Sequence, residues 1–181
     1  MEFNFGFIIL SPDFNIGGLK NTLRSIKNNY EKKEIICCVN SLVKSNQLKE
    51  MKENCIVHKG GKTITSLINK GFDKIDSEWA ILILEGSRVC KNLDNKYGKW
   101  IKGQNNVLFP LIIEYDREMY PKKIYDTFYN CTINGMCINK NFFKNVGKFS
   151  EDGLEESRKI WTVNAMEKNV IFKSILGIKI C

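Results

Sequence analysis

The chain has 181 residues, 43% of them hydrophobic, with 28 Lys and Arg against 20 Asp and Glu for a formal net charge of +8. That is enough apolar material for one domain with its own core, which excludes a disordered chain and any dependence on disulfides or a structural metal. The longest apolar run, 79–84, is far short of the roughly 20 residues of a membrane span, and the start Met1-Glu2-Phe3-Asn4-Phe5 has no basic leader, so a cytoplasmic protein without a transmembrane segment is expected.

Taken in chain order, the sequence alternates short apolar runs with amphipathic segments. Residues 5–10 read as a buried strand, followed by a loop punctuated by Pro12, Asn15, Gly17 and Gly18 and by a helix whose apolar face is Leu19, Leu23 and Ile26. The unit repeats. A strand is expected at 34–39, a short helix at 47–53, a strand at 55–58, a helix at 63–72 with Ile64, Leu67, Ile68 and Phe72 on one face, and a strand at 79–84. The second half predicts a strand at 107–113, a strand at 132–139 that runs antiparallel, a helical turn at 141–145, a helix at 154–167 and a last strand at 170–175.

Strand and helix alternating at this spacing imply an α/β class protein: a mostly parallel sheet flanked by helices, in a single domain, whose ligands bind at the carboxyl ends of the strands. The residues just after Leu10, Val39, His58 and Leu84 are therefore the candidate site.

The seven cysteines, Cys37, Cys38, Cys55, Cys90, Cys131, Cys137 and Cys181, form no CxxC pair and are odd in number, and His58 is the single histidine, so a zinc site is not expected. The four arginines are Arg24, Arg88, Arg117 and Arg158, and the lysines are scattered without a dense basic run or alternation with aromatics. No nucleic-acid partner is expected from such a pattern. Gly60-Gly61-Lys62-Thr63 lacks the spacing of a nucleoside triphosphatase loop.

The loop Pro12-Asp13-Phe14-Asn15 resembles the segment that follows the first strand in family-2 glycosyltransferases of the GT-A (Rossmann-like) fold. The resemblance continues in order through the Leu19–Ile26 helix, Glu34-Ile35-Ile36, Asn69-Lys70-Gly71, Ser77-Glu78-Trp79 and Val146-Gly147-Lys148-Phe149. It implies a nucleotide-binding half at about residues 1–90, an acceptor half at about 91–181, and transfer of a sugar from a nucleoside diphosphate, uridine diphosphate favoured, to a hydroxyl acceptor with inversion. A scaffold that has lost catalysis and binds a nucleotide sugar, a glycan or a protein partner is the alternative.

The same resemblance implies site residues. Pro12, Phe14, Asn15 and Asn40 would line the base pocket, although Pro12 and Asn15 equally well make a turn. Asn69 and Lys62 would flank the donor. The family's Asp-x-Asp motif falls on Glu85-Gly86-Ser87-Arg88, a degenerate form in which Glu85 and Ser87 would hold manganese or magnesium, or Arg88 or Lys62 would replace the metal at the phosphates. Glu156, with Glu155 and Asp152 competing, would be the base that takes the acceptor proton, while the same carboxylates could simply offset a helix dipole. A homodimer would supply the acceptor wall that so short a chain lacks.

Overall fold

The period of two along each strand decides the architecture. In β1 (Phe5–Ser11), Phe5, Phe7 and Ile9 enter one core and Ile8 and Leu10 the other. β2 (Glu34–Val39) sends Ile35, Cys37 and Val39 one way and Ile36 and Cys38 the other, and β4 (Trp79–Leu84) separates Trp79, Ile81 and Ile83 from Ala80 and Leu82 in the same manner. Runs without a polar residue have no face to offer water, so these strands lie mid-sheet with helices on both sides. The computed structural model describes residues 3–30, 33–52, 55–89, 91–115, 121–126, 133–151 and 153–175.

Helix α1 (Ile16–Lys27), a 3-10 turn at Ser45–Leu48 continuing into α2 (Lys49–Lys52), and α4 (Leu93–Gly98) cover the first face through Leu19, Leu23, Ile26, Leu48, Met51, Leu93 and Tyr97. Helices α3 (Ile64–Lys74), α5 (Lys140–Val146) and α6 (Leu154–Glu167) cover the second. There Phe72 stacks on Phe143 with centroids 3.8 Å apart, and Phe149 on Trp161 at 5.3 Å. The Trp161 indole N–H donates to the Gly147 carbonyl at 2.9 Å, so this aromatic group ties α6 to the end of α5.

The sheet runs β3-β2-β1-β4-β7-β5-β6, with β8 (Ile171–Ile175) parallel to β5 (Asn106–Tyr115). β1 pairs in parallel with both β2 and β4, and β3 (Ile56–Lys59) continues the parallel set beyond β2. β7 (Cys137–Asn139) is antiparallel to both neighbours, and β6 (Pro121–Asp126) is antiparallel to β5. This is the mostly parallel, helix-flanked α/β sheet that the alternation predicts.

The differences are local. The antiparallel strand expected at 132–139 is confined to Cys137–Asn139, because Asn134 and Gly135 turn the chain just before it, and Thr132 lies outside the described residues. The segment expected as one helix at 47–53 starts two residues earlier as a 3-10 turn. Helix α4 and strand β6 were not expected: α4 buries only Leu93 and Tyr97, too few for a periodic signal, and β6 opens on a proline followed by two lysines. Among the described residues, no helix is long and apolar enough to cross a membrane.

Candidate functional site

The chain leaves β1 toward β2 and β3 on one side, while β4 pairs with β1 on the other. Connections that diverge from one strand open a crevice at the carboxyl ends of the strands. Here its rim is formed by residues 11–15 after β1, 40–43 after β2, 60–63 after β3 and 85–88 after β4.

Glu85 ties the rim together. Its Oε2 accepts from the hydroxyl of the fully buried Ser11 at 2.6 Å and from the backbone N–H of Asn15 at 2.9 Å, while its own N–H donates to the Leu10 carbonyl at 3.0 Å. Asn15 in turn caps α1, its Oδ1 accepting from Gly18 N–H at 3.0 Å. The carboxylate therefore sits at the first turn of α1, which carries no acidic residue of its own and whose dipole favours a negative charge. Between these anchors Phe14 adopts φ +52°, a left-handed conformation that a bulky side chain enters only when its surroundings impose it.

The loop after β4 is laid along α1. A Cβ on Gly18 would come within 3.2 Å of the Gly86 nitrogen, and Gly86 itself has φ +88°, so both positions require glycine for different reasons. Further along α1, the Thr22 hydroxyl donates to the Ser87 carbonyl at 2.9 Å, the Ser25 hydroxyl accepts from Val89 N–H at 3.1 Å, and the Asn29 amide donates to the Val89 carbonyl at 2.9 Å. From β7's side, Asn134 accepts from Leu84 N–H at 3.0 Å and donates to the Ser87 hydroxyl at 2.9 Å.

These contacts place the expected site residues. Pro12, Phe14, Asn15, Asn40, Lys62, Glu85, Gly86, Ser87 and Arg88 all stand on the rim. The Asn40 amide spans two loops, donating to the Pro12 carbonyl at 3.2 Å and accepting from Leu42 N–H at 3.0 Å, which leaves one of its N–H bonds for a ligand. Ser87, expected as a metal ligand, is held as a loop residue by Thr22 and Asn134. Asn69 does not face the rim as a donor contact: its amide donates to the Phe149 carbonyl at 2.8 Å and accepts from Phe149 N–H at 2.9 Å, a two-point clamp that uses both ends of the side chain.

Glu155 and Glu156 lie exposed in the first turn of α6 and pair with Lys159 at 3.2 and 3.8 Å, as carboxylates beside a helix N-terminus commonly do. Asp152 lies outside the described residues. Lys62 and Arg88 are exposed and make no ion pair among the described residues. No group of three or more His, Cys, Asp or Glu is assembled for a metal among the described residues.

Sequence reasoning marked the position of Ser11, just after Leu10, but not its bond to Glu85, and it missed Thr22 and Asn134. Thr22 carried a signal, a fully buried polar residue inside the apolar stripe of α1, whereas Asn134 reaches Ser87 across 47 positions of chain that no local pattern records. The described cysteines, Cys37, Cys38, Cys55 and Cys137, lie outside the rim segments. Burial pushes the Cys38 thiol up to about 12, and Cys37 is raised by its hydrogen bond with Cys55 and by burial, so both remain protonated as small apolar residues.

No protein-family model matches the chain, and nothing among curated proteins matches it. Among solved structures, the bifunctional IspDF from Campylobacter jejuni shares the fold, with a TM-score of 0.59 and 16% identity over 96% of this chain. The match takes in 50% of the IspDF chain, so the present chain spans about half the length of that protein. At this identity the likeness is one of fold.

These findings overturn the family-2 glycosyltransferase reading, both as a sugar-transferring enzyme and as its inactive binding form. The physical reason is that the segments carrying the resemblance are those such a sheet requires. Asn15 caps α1, Glu34 accepts from the backbone N–H groups of Asp76 and Ser77, Gly71 packs on Ile8 where a Cβ would collide, and Gly147 and Phe149 close α5 against Trp161. Segments that build a fold recur with any chemistry the fold hosts.

Proposed function

We propose that the chain is a nucleotide-binding transferase domain that acts at the phosphates of its nucleotide, a nucleotidyltransferase. The observation that carries this reading is the rim itself: a carboxylate locked between two loops at the switch point of a parallel sheet, with Arg88 exposed on the same loop and Lys62 exposed on the loop after β3. The likeness in fold to IspDF supports it.

Nucleotidyl transfer needs an acceptor oxygen aligned on the α-phosphorus and positive charge where pyrophosphate departs. Lys62 and Arg88 supply that charge, and an arginine fork pairs two phosphate oxygens at once. Glu85 positions the loops through Oε2 and offers Oε1 to a ribose hydroxyl or to a divalent ion that arrives on the nucleotide phosphates, an ion that commonly takes one or two protein carboxylates and several waters. The ion would neutralise phosphate charge.

A panel of nucleoside triphosphates, followed by calorimetry and by pyrophosphate release with and without magnesium, tests the reading. Binding of at least one triphosphate is expected, weakened about tenfold or more by Arg88→Ala, in keeping with loss of a charge-assisted pair. A panel in which nothing binds overturns it.

A further inference from the structure

Helix α6 is apolar on two sides. Its sheet side is fixed by Ser157, Trp161 and Ala165, all buried. On the opposite side, away from the sheet, Ile160, Val163 and Met166 stand 44%, 57% and 58% exposed. The outer faces of the other long helices are polar: past the first turn of α1 the exposed residues are Lys20, Asn21, Arg24 and Lys27, and on α3 they are Asp73 and Lys74. A helix that faces water on one side carries polar residues there, so a row of three large apolar side chains marks a face that a partner covers.

The charges along this face say which partner. When a second copy of α6 runs antiparallel with the two-fold axis at Val163, residues equally far before and after Val163 face one another. Ile160 then meets Met166 of the second copy, and Lys159 meets Glu167 of the second copy. Glu167 is exposed and makes no ion pair among the described residues. Lys159 lies 3.2 Å from Glu155 and 3.8 Å from Glu156, yet its side chain is 58% exposed and open to a further carboxylate. A parallel pair would oppose Lys159 to Lys159 and Glu167 to Glu167, so the charges select the antiparallel arrangement, which the two helix dipoles also favour.

We propose that the outer face of α6 is the contact of a two-fold symmetric homodimer, in which α6 packs antiparallel on its copy about Val163. Such a contact needs only one self-complementary patch, because every residue of it is used twice. A single helix pair with three apolar side chains from each copy falls short of the standard interface of about 1,600 Å², so the dimer is weak and forms as the concentration rises. The proposal does not rest on the nucleotide reading of the rim.

The test is sedimentation equilibrium of the full chain, loaded from about 5 to about 500 μM, where a contact of this size should give a dissociation constant of about tens of micromolar. Val163→Asp sets two carboxylates at the axis and should weaken association about tenfold or more. Glu167→Lys should weaken it several-fold. Adding Lys159→Glu to that variant should return the constant to within about threefold of the parent, because exchanging the signs restores the pair on both sides of the axis. All three positions are exposed, so the folded monomer is retained. A chain that stays monomeric over the whole range overturns the proposal. So does a dimer that Val163→Asp leaves intact, or a double variant that associates no better than Glu167→Lys alone.

Discussion

Glu85 shows how one side chain can hold two loops together. Its carboxylate satisfies the hydroxyl of Ser11 and the N–H of Asn15, the first of which has no water to turn to. Glu85→Ala leaves both donors without an acceptor and should cost about 1–3 kcal/mol of stability, the typical penalty for an orphaned buried polar group. Glu85→Gln keeps an oxygen in place and should retain most of that stability while losing the charge. Denaturant melts of the two variants check this, and equal losses would show that charge rather than hydrogen bonding holds the loops. The residue was visible in the sequence as the polar residue that ends the most apolar strand. Its partner Ser11 stands at a strand end that the pattern marks, but nothing local shows that its hydroxyl turns to Glu85.

At the level of elements, the site is held by helix-to-loop contacts. Thr22 and Ser25 on α1 and Asn29 just past its end fasten the 87–89 segment, so the position of Arg88 is inherited from α1. On the other face, Asn69 clamps the segment between α5 and α6. Asn69→Ala removes both hydrogen bonds to Phe149 and should lower stability by about 1–3 kcal/mol. It should also raise amide exchange in the 147–151 segment while leaving β1 and β4 protected. Uniform exchange across the sheet would place the clamp's role elsewhere.

The helices and central strands were legible because each carries its own period: β2, β4 and α6 fall at the residues their apolar patterns mark. The antiparallel strand was legible in direction but not in length, and α4 and β6 not at all. Short elements that bury two residues or begin on proline are fixed by neighbours that meet them only in the folded state.

For the molecule as a whole, stability rests on two apolar cores either side of one sheet, with the titrating histidine at its edge. Because the folded state holds the His58 pKa below its ordinary 6.5, both states are neutral above that value and nothing is gained or lost there. As pH falls through 6.5 the unfolded chain takes up the proton first, so stability declines and levels off once the folded histidine also protonates. A lower melting temperature at pH 5.5 than at pH 7.5 is expected, with the difference reduced in His58→Gln. An unchanged difference in that variant would assign the acid sensitivity to other groups.

By itself the sequence determined the α/β class and the order of the main strands and helices, because these follow from local period and the general behaviour of parallel strands. The tertiary structure decided which polar residues are free for chemistry. Ser87 and Asn69 are committed to neighbours far away in the chain and Glu155 and Glu156 to a lysine on their own helix, while Lys62 and Arg88 make no ion pair among the described residues. The reason is physical: a hydrogen bond between residues tens of positions apart leaves no mark on the pattern around either one. A motif can therefore mark where a polar group stands, while only the fold shows whether that group is already occupied.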